Sequence, residues 1–130
     1  MSDAEIIGLK VNSIADDQCV LFLWTTDAHL EVALKALKNW GFTYKTLAFV
    51  WNKKNCTIGK WNVKQCEICL LATRGTAHKL VVNFKERQYL ECKKYKHSKK
   101  PGEFRNRISR MFDKNTNKIE LFARKPANDL

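Results

Sequence analysis

Proline and glycine are scarce in this chain, two and five in 130 residues. Pro101 and Pro126 lie far apart, and no Gly/Pro/Ser-rich stretch divides the sequence, so residues 1–130 are expected to form one domain. No glycine-rich loop of the phosphate-cradling kind occurs, and no Ser/His/Asp arrangement stands out. No apolar run approaches the roughly 18 residues of a membrane helix, and no signal-peptide pattern opens the sequence. A soluble, intracellular (cytoplasmic) protein without a membrane partner is therefore expected. The cysteines number five, an odd count unsuited to a fully paired disulfide framework, so reduced thiols are expected. Repeats and low-complexity segments are absent too. What remains is a chain 45% apolar, long enough for its own core and too regular in pattern to be disordered.

Charge is abundant and one-sided. The net charge is +11, but residues 1–31 hold six acids against Lys10 alone, a balance of −5. The other 99 residues hold 23 bases against seven acids, +16. The densest run is 93–110, where Lys93, Lys94, Lys96, Lys99, Lys100, Arg105, Arg107 and Arg110 face only Glu103. Such a run is the footprint of a polyanion partner, whose binding releases counterions. A solvated basic face that only keeps the protein soluble is the alternative.

The apolar pattern alternates strands with helices. Ser2 and Glu5 have capping-box spacing for a short helix to about Leu9. A strand is expected at about Gln18–Thr25, and a helix over Asp27–Trp40, capped by Thr26, stopped by Gly41 and buried along Leu30, Leu34 and Leu37. A second strand is expected at Tyr44–Trp51, a loop over Lys53–Lys64, a third strand at Glu67–Thr73 and a fourth at Lys79–Phe84. Pro101 suits the first turn of a helix to about Phe112, with Phe104, Ile108, Met111 and Phe112 inward. Lys118–Arg124 forms the last strand. The class expected is α/β, with a mainly parallel sheet and helices on its faces. In such sheets ligands sit at the carboxyl ends of the strands.

Several residues have types and positions that suit chemistry. Cys66 and Cys69 have C-x-x-C spacing, with Cys56, Cys92 and His97 as further thiol or imidazole ligands. Residues three apart on a strand point to opposite faces, so buried structural cysteine is favoured and no metal is expected. Lys100 stands at a helix start, where the dipole favours a carboxylate or phosphate. Arg124 ends the last strand, at a pocket edge. Trp24, Thr25 and Trp51 end neighbouring strands, where tryptophan can stack on a base or fill the core. Trp61, in a basic loop, is a candidate for partner contact.

In order, LFLWTT, NWGF, FVWNK, CEICLLATRG, HSKKP and IELFAR resemble the MT-A70 family, over about Ser2 to Arg124. The resemblance implies a trimmed Rossmann-like fold and S-adenosylmethionine-dependent methylation of the exocyclic amine of adenine in DNA or RNA. It also implies that Lys100 meets the cofactor's methionine carboxylate and Arg124 its ribose. The family's Asp-Pro-Pro-Trp does not occur, since the two prolines are not adjacent, and Trp-x-x-Trp-Gly does not follow Arg124. No catalytic residue is therefore assigned, and S-adenosylmethionine is expected to bind weakly or not at all. Three functions fit: a truncated or degenerate methyltransferase-like protein, inactive alone, that binds nucleic acid or an acidic protein surface; a fragment or partner subunit of an active methyltransferase; or a small mobile-element or phage regulator of a nucleic-acid enzyme. The candidate contacts are Lys93, Lys94, Lys96, Lys99, Arg105, Arg107 and Trp61.

Overall fold

A computed structural model of the chain describes residues 2–8, 17–93, 100–116 and 118–122. The elements are α1 (Asp3–Ile7), β1 (Cys19–Thr25), a 3-10 turn (Asp27–His29) leading into α2 (Leu30–Asn39), β2 (Thr43–Ile58) and β3 (Val63–Arg74). A second 3-10 turn (Ala77–Leu80), β4 (Tyr89–Glu91), α3 (Gly102–Met111) and β5 (Lys118–Phe122) complete them. The sheet has the order β4-β2-β3-β1-β5.

The α/β class is as expected, and the pairing is mixed. β1 pairs parallel with β5, and β2 with β4, whereas β3 is antiparallel to both β1 and β2. Four strands thus run one way and β3 alone runs back. The unit β1–α2–β2 reads as parallel in sequence and is so in space. β3 turns back from β2 and fills the gap that the helical connection left between them.

β1 is apolar at almost every position because both of its faces are covered. Cys19, Leu21 and Leu23 pack with Ala33, Ala36, Leu37 and Trp40 on one side. Val20, Phe22 and Trp24 meet Phe49, Trp51, Phe104, Ile108 and Phe112 on the other. Aromatic rings dominate that second layer: Phe104 lies 4.9 Å from Trp24 and 5.0 Å from Phe49. α1 is capped as its sequence demands. Glu5 N donates to Ser2 Oγ at 3.1 Å and Ser2 N to Glu5 Oε1 at 3.0 Å. Trp40 Nε1 then fixes its far end by donating to Ile7 O at 3.0 Å. α2 stops at Gly41, whose φ of +87° lets Phe42 N reach back to Leu37 O.

Three expectations are corrected. The segment Lys53–Lys64 is not a loop but the distal part of a β2–β3 hairpin, paired through Thr57↔Lys64 and Ile58↔Val63. A two-stranded ribbon in water has no buried face, so apolar periodicity cannot reveal it. Lys79–Phe84 is not a strand: it starts in the second 3-10 turn and makes one bridge, Val81↔Phe112. The edge of β2 beside it is occupied by β4, a three-residue strand too short to announce itself in sequence. Leu34 is exposed rather than buried, and the inner stripe of α2 runs through Ala33, Ala36 and Leu37. The last strand is present over Lys118–Phe122, and its expected end at Arg124 lies outside the described residues. By contrast, Phe104, Ile108 and Phe112 are buried as the spacing implied.

Candidate functional site

Where β1 ends, the neighbouring stretches of β2 and β3 around Trp51–Lys53 and Glu67 meet the residue that precedes α3. Lys100, just ahead of Pro101, turns its side chain inward, where 12% of it remains exposed. Its Nζ donates to Glu67 Oε1 at 2.8 Å. It also lies 5.2 Å from the ring of Trp24 and 5.5 Å from that of Trp51, within cation–π range. Lys53, from β2, brings a second ammonium to 3.3 Å from Glu67 Oε2. That approach has ion-pair distance but not hydrogen-bond geometry, and Oε2 is buried without a hydrogen-bond donor.

The local folding explains the cluster. Glu67 sits in the apolar strand Cys66–Leu71 at a position facing the α3 layer, and its side chain is only 5% exposed. A lone carboxylate there would be costly to bury, so it draws two cations. Burial pushes the Glu67 carboxyl up, but the Lys100 hydrogen bond and the charges of Lys100 and Lys53 outweigh it and hold the group below its usual range. Two lysines and one carboxylate leave one net positive charge at the strand ends. An anionic group entering here meets a cation already seated on aromatic faces.

The positions proposed from sequence are scattered. Lys100 is in the cluster, whereas Arg124, Lys94, Lys96 and Lys99 lie outside the described residues, as does His97. Lys93 is exposed just after β4 and Arg105 on the outer face of α3. Arg107 is not a free surface cation: it binds Glu103, Arg87 O and Tyr89 O at 2.8–3.0 Å, tying α3 to the β4 edge. Trp24, Thr25 and Trp51 are buried, and the two indole rings support Lys100 instead of meeting a base from solvent. Trp61 is 89% exposed. Cys66 is exposed and Cys69 buried, on opposite faces of β3 as their spacing demands. Among the described residues, no three metal-capable side chains converge.

Glu67 and Lys53 were missed. The signal was present: Glu67 is the only acid between residues 32 and 85, set inside an apolar strand. A separate cavity of about 440 Å³ opens at the other end of the sheet, lined by Val20, Thr46, Thr73, His78, Phe84 and Met111 among others. It shares no residue with the lysine cluster. No helix among the described residues is long and apolar enough to cross a membrane.

The MT-A70 family model matches residues 1–129. The chain belongs to the MT-A70 family. Among relatives of this member, the Type II methyltransferase M.MunI of a Mycoplasma species is 38% identical over 120 residues, covering 92% of this chain and 51% of that protein. An N(6)-adenosine-methyltransferase MT-A70-like protein of Drosophila melanogaster is 31% identical, over 95% of this chain and 21% of its own length. This MT-A70 chain thus spans about half of the first relative's length and about a fifth of the second's. The fold resembles that of M1.HpyAVI, solved as a SAM complex, with a TM-score of 0.66 at 13% identity over 95% of this chain and 79% of the other.

Proposed function

We propose that these 130 residues form the part of an MT-A70 methyltransferase that would receive the carboxylate end of S-adenosylmethionine and face nucleic acid, and that alone they transfer no methyl group. The observation that carries this reading is the Lys53–Glu67–Lys100 cluster where β1 ends. Its chemistry fits an anion, so Lys100 is the residue that would hold a methionine carboxylate. Lys100 is also already held by Glu67 and flanked by two indoles, so an incoming carboxylate must compete for it. Weak cofactor binding follows, because little of the ligand's ordering loss is offset. The sequence contains no Asp-Pro-Pro-Trp to orient an adenine amine.

The basic run beyond β4 supplies the nucleic-acid side of the proposal, with Lys93 and Arg105 as exposed phosphate contacts. The setting expected is the cytoplasm. A second reading, favoured by the half-length match to M.MunI, is a fragment or subunit of an active enzyme whose Asp-Pro-Pro-Trp lies on other residues. One experiment separates the two. The chain is incubated with tritiated S-adenosylmethionine and adenine-containing DNA or RNA, alone and fused to an Asp-Pro-Pro-Trp segment of a relative, with calorimetry alongside. No transfer by the chain alone is expected. Transfer above a heat-killed control, or a dissociation constant in the low micromolar range, overturns the proposal; transfer by the fusion only supports the fragment reading.

A further inference from the structure

The hairpin formed by β2 and β3 outruns the sheet. β1 ends at Thr25 opposite Ile68, and β4 ends at Glu91 opposite Asn52. Past those points the two long strands pair only with each other. From Ile68 to Val63 the ribbon extends about 16 Å at the usual rise per residue. It therefore stands over the same end of the sheet at which Lys53, Glu67 and Lys100 meet. Its turn is closed by Gly59 N donating to Asn62 O at 2.9 Å, and a Cβ on Gly59 would lie 2.7 Å from that oxygen.

The ribbon's tip is apolar and basic together. Ile58 and Trp61 are each 89% exposed and Val63 57%. The other three tryptophans are buried, so Trp61 is alone in water. Residues 53–66 contain four lysines and no acid. Lys54 and Lys64 form exposed ion pairs with Glu91 and Asp27, the kind of pair that exchanges readily with phosphate because it is worth little in water. Lys60, beside Trp61, has no acidic partner among the described residues.

We propose that this arm docks in the major groove of duplex DNA, with Trp61 against the bases and Lys54, Lys60 and Lys64 on the flanking phosphates. The inference rests on the adenine-methyltransferase reading and names its substrate class. The major groove is about 12 Å wide and admits a two-stranded ribbon, and the exocyclic amine of adenine faces that groove. A ribbon lodged there brings the strand ends carrying Lys100 to the side on which the amine stands. The major groove of an RNA duplex is too narrow to accept it. An acidic protein surface would satisfy the lysines but leave Trp61, Ile58 and Val63 without an apolar or stacking partner.

The test uses the intact chain with labelled duplex DNA, an RNA duplex of the same sequence and polyglutamate. Acrylamide quenching reads the one exposed tryptophan directly. DNA should shield Trp61, and the RNA duplex should bind about tenfold more weakly or worse. The double variant W61A/K60A should lose about tenfold or more in DNA affinity, with an unchanged circular dichroism spectrum because both side chains are exposed. If DNA binds while Trp61 stays open to acrylamide and the variant binds as the parent does, the arm inference fails and the nucleic-acid reading survives. If polyglutamate shields Trp61 as well as DNA does, the arm belongs to a protein partner and the inference is overturned. If no duplex binds, the arm inference and the nucleic-acid reading fall together, while cofactor calorimetry still judges the lysine cluster.

Discussion

Replacing Glu67 with glutamine isolates the charge at the centre of the cluster. The substitution keeps the shape and an acceptor for Lys100, but leaves two ammonium groups, 12% and 16% exposed, beside an uncharged amide. Removing one partner of a fully buried pair costs about 3–5 kcal/mol. Both lysines retain some water and have long stems that can reach for more, so about 2–3 kcal/mol is expected here. Urea unfolding, followed by the buried tryptophans, measures it as a lower midpoint at unchanged slope. A double-mutant cycle with Lys100→Met should return a coupling of at least about 1 kcal/mol. The pH dependence carries the sign. The folded carboxyl is held below its ordinary value of 4.5, so its contribution is complete above that value and disappears as pH falls through the folded one. Asp27, Glu86, Glu91 and Glu103 are lowered as well, so the parent loses stability in acid for several reasons. The gap between parent and E67Q should nevertheless narrow below pH 4.5. A variant within about 0.5 kcal/mol of the parent at neutral pH, or a gap that is flat with pH, would refute the claim that these charges depend on one another.

Two further outcomes follow from the packing. Arg107→Lys should destabilise by about 1–2 kcal/mol, because one ammonium cannot span Glu103, Arg87 O and Tyr89 O as the guanidinium does. Hydrogen exchange at the Cys92 amide, bonded to Asn52 O, should rise as β4 loosens, and unchanged exchange would show that Arg107 is not the tie. Gly75→Ala should lower the urea midpoint by an amount worth about 1–2 kcal/mol or more, since φ is +69° and the new Cβ would sit 2.5 Å from Asp17 O. A wild-type midpoint would mean that the turn relaxes freely.

The sequence alone determined the parts whose cause is local or strongly periodic. The capping box of α1, the stop at Gly41, the doubly covered strand β1 and the inward face of α3 are properties of neighbouring residues or of a fixed repeat. The order of the motifs likewise pointed to the family. Tertiary structure decided what depends on a distant partner. Glu67, Lys53 and Lys100 lie on three separate segments and meet only because β3 inserts between β1 and β2. Val82 and Phe84 looked like strand, but their segment bonds to the end of α3 through Met111 O and the Val81↔Phe112 bridge, and β4 is the strand that pairs with β2 at Val50–Asn52. The distal hairpin looked like a loop because a solvated ribbon takes its order from cross-strand hydrogen bonds, and those leave no trace in the spacing of apolar residues. Arg107, one basic residue among many in the sequence, became a structural tie only when its helix was laid against the β4 edge.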